Sequence, residues 1–374
     1  MNVNVKRLVV QYNDKVVGFL EELSNKSIAF QYDEDWMTNM FSISPFHLPL
    51  SDKVYISKSE YFSGLFGVFH DSLPDGWGEQ LVRRMLTKKG LNFDKLSALT
   101  RLSLVSANGL GALTYQPTQS ETLEGIPSDL DTLAEEVKRI NDYATESNDF
   151  DEIYALGGAS GGARPKVHIT LNSEDWIIKF PSTMDPKDMG MLEHQANQLA
   201  QESGIHVNEF RLFPSKKNRG YFGAKRFDIV NTKRIHMISL SSLLETTHRI
   251  SNLDYSHLFQ VIQKICVDQS DMYEAFKRMC FNVLYQNKDD HGKNVAFLYD
   301  EVLGGYKLSP FYDITQTKGK LEHEMTVLGN GQPTVSELMD IAKEFHLSTK
   351  TCQTIIHNIQ SVLSSKKLDI KKDK

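Results

Sequence analysis

The spacing of apolar residues changes part-way along this chain of 374 residues. Before about residue 236, short apolar runs alternate with turn residues, for example at 16–20 and 28–32, and this pattern predicts β-strands. Beyond that point apolar residues recur at helical spacing, for example Phe276, Met279 and Val283. The change predicts an α+β protein with a β-rich first part and a mainly helical second part.

Several individual elements follow from the same patterns. Pro74 and Asp75 precede an apolar helical face that Gly90 closes, which predicts the first clear helix. The remaining predictions are helices at about 128–145 and 187–203, strands at 167–171, 176–180 and 221–227, and a hairpin with strands at 295–299 and 306–308. The polar motifs of the chain fall mainly in the loops between these elements.

Charge and cysteine content argue against several classes of protein. The 42 Lys and Arg residues are outnumbered by 48 Asp and Glu residues, so DNA contact would need a partner. Cys266, Cys280 and Cys352 lie far apart without CxxC spacing, which argues against a zinc cluster and a disulfide framework. Because the sequence also lacks an apolar run of about 18 residues, we expect a cytoplasmic protein without a membrane segment.

The densest polar cluster in an apolar part of the chain is the sequence NKDDHGKN at 287–294. Asp289 and Asn294 have the five-residue spacing with which protein kinases place a catalytic aspartate and a metal-binding amide on one loop. Lys293 lies between them and offers a cation. The spacing alone leaves a second interpretation open, in which these residues form a polar turn before a hairpin.

Two further residues fit phosphoryl transfer. Asp313 follows the predicted hairpin, which would return the chain towards Asn294 with a second metal-binding carboxylate. Lys179 interrupts an apolar strand, where kinases place the lysine that holds nucleotide phosphates, and Glu193 lies on the following helix. Each also has a structural interpretation, with Asp313 as a helix cap and Lys179 as an exposed edge residue.

A glycine-rich stretch at 156–166 predicts a flexible loop whose amide groups can approach phosphate. Gly158, Ser160 and Gly162 also match G-x-S-x-G, which raises the alternative of a serine hydrolase. That motif needs a helix directly after the serine, whereas Pro165 and the flanking glycines oppose one and a strand follows. The hydrolase alternative is therefore weaker than phosphoryl transfer.

Six short segments occur in an order that resembles the HipA family of serine/threonine kinases, the toxin components of bacterial toxin–antitoxin pairs. They are LPDGWG (73–78), GGARPK (161–166), WIIKFP (176–181), KRFD (225–228), DDHGKN (289–294) and YDIT (312–315). The resemblance spans about residues 5–350. One such motif would be weak evidence, whereas six in order are specific.

The resemblance implies a two-lobed protein-kinase-like fold. Its domains would be a β-rich N-terminal subdomain at 1–120, a nucleotide-binding N-lobe with the Gly-rich loop at 121–235, and a helical C-lobe with the catalytic and metal-binding loops at 236–374. In such a fold the DGWG segment would organise packing around the β-rich region, with Trp77 in the core.

The resemblance also implies a role for each candidate residue, with ATP and Mg²⁺ as cofactors. Asp289 would be the catalytic base, Asn294 and Asp313 would bind Mg²⁺, and Lys179 would contact the ATP phosphates. Lys293 would steady the transferred phosphoryl group, His291 would brace the loop, and Glu193 would orient Lys179. The nucleotide would be covered by Ser160, Gly161 and Gly162. The segment near the nucleotide-binding hinge would contain Arg226, Phe227 and Asp228.

Regulation and partners follow from the resemblance as well. Several family members phosphorylate a serine of the Gly-rich loop, and here that serine would be Ser160, although an ungapped count from Lys166 places it on Ala159. The implied partners are a HipB-like helix-turn-helix antitoxin, which would make most of the DNA contact, and a protein substrate such as an aminoacyl-tRNA synthetase. A second class of function stays open, namely a kinase-like scaffold that binds or regulates without catalysis.

Overall fold

The computed structural model describes residues 4–105, 109–119, 129–141, 150–157, 161–182, 185–247, 249–317 and 319–372. Its strands are β1 (Arg7–Tyr12), β2 (Lys15–Glu22), β3 (Ile28–Tyr32), β4 (Tyr55–Ile56), β5 (Leu113–Gln116), β6 (Lys166–Leu171), β7 (Glu174–Lys179), β8 (Phe210–Phe213), β9 (Tyr221–Lys225), β10 (Ile229–Val230), β11 (Lys233–Arg234), β12 (Met237–Ser239), β13 (Leu253–Asp254), β14 (Ala296–Asp300), β15 (Gly305–Leu308) and β16 (Met325–Thr326).

The helices carry most of the second half of the chain. They are α1 (Glu34–Asn39), α2 (Gly67–His70), α3 (Gly76–Lys88), α4 (Ala98–Ser103), α5 (Leu130–Asn141), α6 (Phe150–Gly157), α7 (Met189–Glu202), α8 (Leu240–Leu243), α9 (Tyr255–Ile265), α10 (Ser270–Tyr285), α11 (Val335–Glu344) and α12 (Thr349–Lys372). Within the described residues, no helix is both long and apolar enough to cross a membrane. The mixture confirms the predicted α+β class.

The chain divides into two compact units. The first comprises 1–191, 209–238 and 242–246, and the second comprises 192–208, 239–241 and 247–374. The first unit thus includes most of the two predicted domains at 1–120 and 121–235, whose division stays a prediction.

The first unit begins with an antiparallel sheet in the strand order β4-β3-β2-β1-β5. The register pairs Leu8 with Leu20, and Leu8, Val10 and Tyr12 of β1 are all buried. This alternation of buried and partly exposed residues is the pattern of a strand with one face on a core. The β-rich start of the chain is therefore confirmed.

A second antiparallel sheet in this unit has the order β6-β7-β9-β8. Its inner face shares a hydrophobic core with α3 and α5, in which Trp77 and Leu81 of α3 contact the cluster containing Val137, Val167 and Ile178. The helix predicted behind Asp75 is α3, and it ends before Gly90, which has the positive φ of 71° that suits glycine. The packing places the start of α3 near the beginning of β6.

The second unit is mainly helical. Along α10, Phe276, Met279 and Val283 are buried on the face that the sequence predicts. The hairpin of β14 and β15 is antiparallel and pairs Phe297 with Leu308. The short strands β13 and β16 are parallel, which brings the segment near 325–326 to the start of α9. The predicted hairpin is thereby confirmed, and the polar 287–294 loop lies between α10 and β14.

Candidate active site

The 287–294 loop leaves α10 through a sharp change of backbone direction. Gln286 adopts a left-handed conformation with φ of 63°, which ends the helix. Asn287 then binds back to Asn282 twice, because its amide N–H donates to the carbonyl at 2.9 Å and its Nδ2 donates to Oδ1 at 2.8 Å. Both Asn287 and Asn282 are buried, so buried hydrogen bonds hold the start of the loop in place.

The two predicted functional residues of this loop lie close to each other. Asn294 donates from Nδ2 to the carbonyl oxygen of Asp289 at 2.8 Å, and its backbone N–H donates to the carbonyl of His291 at 2.8 Å. The amide group of Asn294 therefore closes the loop, while its Oδ1 is the atom able to coordinate a cation. His291 supports this closure through its main chain, while the bracing role of its side chain stays a prediction.

The carboxylate of Asp289 is partly exposed and forms an ion pair. Lys320 lies 2.6 Å from its Oδ1 and also 2.7 Å from Oε1 of Glu324. The side chain of Asp289 is 46% exposed, so a substrate can reach it. Such a pair holds the carboxylate in one orientation without burying it.

The neighbouring Asp290 has the opposite environment. It is 2% exposed, and its Oδ2 accepts from the Tyr255 hydroxyl at 2.8 Å and lies 2.9 Å from Nδ1 of His323. Its Oδ1 accepts the backbone N–H of Glu324 at 2.9 Å. Burial, together with the adjacent Asp290, raises the pKa of Tyr255 well above its ordinary value, so the hydroxyl stays a donor. The carboxylate of Asp290 therefore holds the loop in place through buried hydrogen bonds.

Asp313 lies on a strained turn directly after the hairpin. Its φ is 59°, an uncommon conformation for a residue with a side chain and one that is concentrated at functional sites. The preceding residue, Tyr312, donates its hydroxyl to the carbonyl of Lys293 at 2.6 Å. This bond joins the segment that carries Asp313 to the segment that carries Asn294.

The donor atoms at this place suit Mg²⁺. Asn294 and Asp313 offer an amide oxygen and a carboxylate, which are hard ligands, and Mg²⁺ in kinases takes only one or two protein ligands beside phosphate and water. Among the described residues, no group of three or more His, Cys, Asp or Glu side chains is arranged to hold a metal alone. A Mg²⁺ site formed by Asn294 and Asp313 stays a prediction.

The predicted nucleotide lysine lies in the first unit. Lys179 ends β7, and its Nζ lies 5.6 Å from the ring centre of Phe222. Glu193 lies in the second unit on α7, where it is 2% exposed. The pairing of Lys179 with Glu193 stays a prediction.

The Gly-rich loop is described from Gly161 onward, and Ser160 lies outside the described residues. Gly161 and Gly162 precede a bend that enters β6 at Lys166, and residues 161–165 form no helix. A nucleophile elbow would require a helix here, so the strand favours the phosphate-covering interpretation over the hydrolase.

The KRFD segment forms a buried ion pair. Arg226 contacts Asp228 through Nε at 3.0 Å and Nη2 at 2.6 Å, and Asp228 is only 1% exposed. Arg226 also donates to the carbonyl of Gly109 at 2.7 Å, and Asp228 accepts from the amide of Gly111 at 2.7 Å. Burial raises the pKa of Asp228, but Arg226, the Gly111 amide and Arg234 together outweigh burial and lower it. The two charges hold the 109–111 segment, while a nucleotide contact of the half-buried Phe227 stays a prediction.

Comparison with known families decides the classification. Residues 158–366 match the model of the HipA-like C-terminal domain, and residues 8–116 match the model of the HipA N-terminal domain. The chain belongs to the HipA family. It is accordingly classed with the HipA-family serine/threonine kinases, as the six segments predict.

Two similar proteins show how far the likeness extends. "Putative kinase Y4mE" of Sinorhizobium fredii is 23% identical and covers 84% of this chain and 78% of its own. The HipA structure of Shewanella oneidensis MR-1, solved with HipB and operator DNA, is 18% identical, has a TM-score of 0.71 and covers 96% of this chain and 90% of its own. The second comparison confirms the two-lobed HipA and kinase-like fold.

The structure adds contacts to the 287–294 loop from residues that the sequence motifs missed. Lys320 and Glu324 contact the 287–294 loop from a segment about 30 positions further along, and Tyr255 and His323 hold Asp290. No spacing rule connects such distant residues. The concentration of charge in KGKLEHE, at 318–324, was the one available signal.

Proposed function

We propose that this protein transfers the γ-phosphoryl group of ATP to a serine or threonine hydroxyl of a protein, as the toxin of a HipA–HipB-type pair. The observation that carries the proposal is the closed 287–294 loop, in which Asn294 donates to the Asp289 carbonyl. The backbone carbonyl of Lys293 accepts from the hydroxyl of Tyr312, the residue before Asp313. This contact pattern supports the proposal that Asp289, Asn294 and Asp313 act as the aspartate and the metal ligands of a kinase.

In the proposed reaction Asp289 orients the attacking hydroxyl and accepts its proton. The hydroxyl oxygen forms a bond to the γ-phosphorus while the bond from that phosphorus to the β,γ-bridging oxygen breaks, and ADP leaves. Lys320 fixes Oδ1 of Asp289, so Oδ2 is the oxygen that receives the proton. Because the carboxylate is partly exposed, a protein side chain can enter without rearrangement of the buried Asp290 network.

The remaining residues act on the phosphates. Lys179 contacts the nucleotide phosphates and is oriented by Glu193, while Lys293 stabilises the transferred group. Asn294 and Asp313 hold Mg²⁺, and the chemistry that Mg²⁺ supplies when bound is neutralisation of phosphate charge. Ser160 is the proposed site of autophosphorylation, which would add nearly two negative charges near the nucleotide and weaken ATP binding.

The partners follow from the HipA relatives. The Shewanella oneidensis protein was solved with HipB and operator DNA, and a HipB-like antitoxin is the partner proposed for this chain, with DNA contact left mainly to it. A net charge of −6 agrees with that division. The proposed substrate class is a cytoplasmic translation component such as an aminoacyl-tRNA synthetase, whose phosphorylation would slow growth.

The test incubates purified protein with Mg²⁺ and γ-labelled ATP in the presence of a cell extract. Wild type should label itself or a protein of the extract, and Asp289→Asn should reduce labelling by about 100-fold or more. Asp340→Asn is the matched control, because Asp340 is an exposed aspartate of the same unit that pairs only with Lys343 in the described contacts.

Binding of Mg-ATP to wild type without any labelled protein would overturn the enzyme proposal and favour the scaffold alternative. Labelled bands that persist in Asp289→Asn would instead overturn the assignment of the base. Phosphoproteomics of cells that express wild type or Asp289→Asn then identifies the substrate, and equal growth of the two strains would count against toxicity.

A further inference from the structure

The DGWG segment does more than fill the core with Trp77. Asp75 stands at the N-cap position of α3, yet its carboxylate makes no capping bond to that helix. Its Oδ1 instead accepts the backbone N–H of Gly162 in the Gly-rich loop. Asp33, at the same position of α1, shows the ordinary behaviour, because it accepts from the backbone N–H of Asp35 at 3.0 Å.

Further bonds join the same two segments. The backbone N–H of Trp77 donates to the carbonyl of Gly162 at 3.0 Å, and its indole Nε1 donates to the carbonyl of Lys166 at 3.1 Å. Lys166 in turn donates from Nζ to the carbonyl of Gly161 at 2.5 Å. Both backbone groups of Gly162 are therefore bound by the start of α3, and the loop is held on both sides.

Gly76 explains how the two backbones come so close. Its φ is 47°, and a Cβ atom there would lie 2.5 Å from the carbonyl oxygen of Gly162. Gly90, at the other end of α3, also has a positive φ, but a Cβ there would meet nothing within 4 Å. The close approach thus requires glycine at position 76 for space, in addition to conformation.

We infer that Asp75 is a positioning residue that holds the described end of the Gly-rich loop in its ATP-binding conformation. The inference rests on the proposed kinase function for the ATP part only. A loop whose amides are already fixed loses less conformational entropy when phosphate binds, so breaking the Asp75 bond should weaken ATP binding and leave the chemical step largely intact.

Five substitutions separate a positioning role of Asp75 from general damage to the fold. Asp75→Ser keeps a residue that caps helices but removes the carboxylate that accepts from Gly162, and Gly76→Ala pushes the loop away sterically. Asp33→Ser makes the same chemical change at the N-cap of α1. Gly90→Ala adds a methyl group at another glycine with positive φ, where a Cβ would meet nothing within 4 Å. Asp75→Asn retains an oxygen acceptor and serves as the conservative rescue.

Two readouts are taken on each purified variant. Hydrogen exchange of the peptide that covers 161–166 should accelerate in Asp75→Ser and Gly76→Ala, and should match wild type in both controls and in Asp75→Asn. The KM for ATP should rise about tenfold in the first two variants while kcat changes by less than about threefold. Thermal midpoints show which variants are folded.

Hydrogen exchange in the absence of ATP tests the Asp75 contact even if the protein proves inactive. Unchanged exchange in folded Asp75→Ser would overturn the inference. Faster exchange with an unchanged KM, or with an unchanged ATP affinity in an inactive protein, would also overturn it, because the loop position would then not matter for ATP. A fall in kcat without a change in KM would point to a role in chemistry instead.

Discussion

Two charged clusters of this chain have opposite environments. The 287–294 loop leaves the side chain of Asp289 46% exposed beside Lys320, whereas the KRFD segment buries Asp228 to 1% exposure against Arg226. In the first cluster a carboxylate is partly exposed to solvent, and in the second the two opposite charges form a buried ion pair.

This difference shows that a conspicuous sequence motif is not by itself evidence that its residues act on a substrate. The same contrast appears within the 287–294 loop, where Asp289 is accessible and Asp290 accepts hydrogen bonds inside the unit. A residue can act on a substrate only if one of its polar atoms remains within reach. We therefore expect substitutions in the first cluster to lower activity and substitutions in the second to lower stability.

The largest expected effect is on stability, from Asp228→Asn. The change leaves the buried Arg226 without its charge partner, which typically costs about 3–5 kcal/mol in the free energy of unfolding. Chemical denaturation measures this loss, with Asp52→Asn as a control at an exposed aspartate of the same unit. A stability equal to wild type, with ATP binding abolished, would reverse the comparison and make Asp228 a direct nucleotide contact.

Acid should also destabilise the first unit through His236. Burial lowers the pKa of His236 from 6.5 to about 4, and the ring nitrogen Nε2 lies 2.8 Å from the carbonyl of Ile43. Because the unfolded chain binds this proton more readily, stability is constant above about pH 6.5 and falls by up to about 3 kcal/mol as the pH drops towards 4. Denaturation midpoints between pH 7.5 and 4.5 measure the slope.

His236→Gln serves as the control for that pH dependence. The amide side chain does not titrate, so the part of the slope between about pH 6.5 and 4 should become shallower. An identical slope in wild type and His236→Gln would show that other groups control the acid sensitivity.

A smaller effect, on activity alone, is expected from Lys320→Met. Loss of the ammonium group removes the contact that orients Asp289, and kcat should fall about tenfold, which corresponds to about 1.4 kcal/mol in the activation barrier. Lys343→Met is the control, because Lys343 pairs with the exposed Asp340. A rise in kcat would show that the ion pair between Lys320 and Asp289 inhibits the reaction. The ion pairs of both clusters would then restrain a carboxylate, and the two clusters would differ less.

The helices and strands of this fold can be predicted from local sequence patterns, whereas the contacts that hold its loops in place cannot. Helix α3 and the β14–β15 hairpin follow from apolar spacing and turn glycines, and the Asp289 and Asn294 pair follows from a short-range motif. The contact between Asp75 and Gly162 joins residues 87 positions apart, and no local periodicity reports such a bond. The sequence therefore predicts helices, strands and short-range contacts better than it predicts the long-range contacts that hold the loops.

The most direct measurement compares ATP affinity and phosphate transfer in one preparation of Asp289→Asn. The account predicts ATP affinity within about twofold of wild type and transfer reduced by about 100-fold or more, because Asp289 acts on the hydroxyl and not on the nucleotide. Transfer within about tenfold of wild type, or a loss of ATP affinity that matches the loss of transfer, would contradict it.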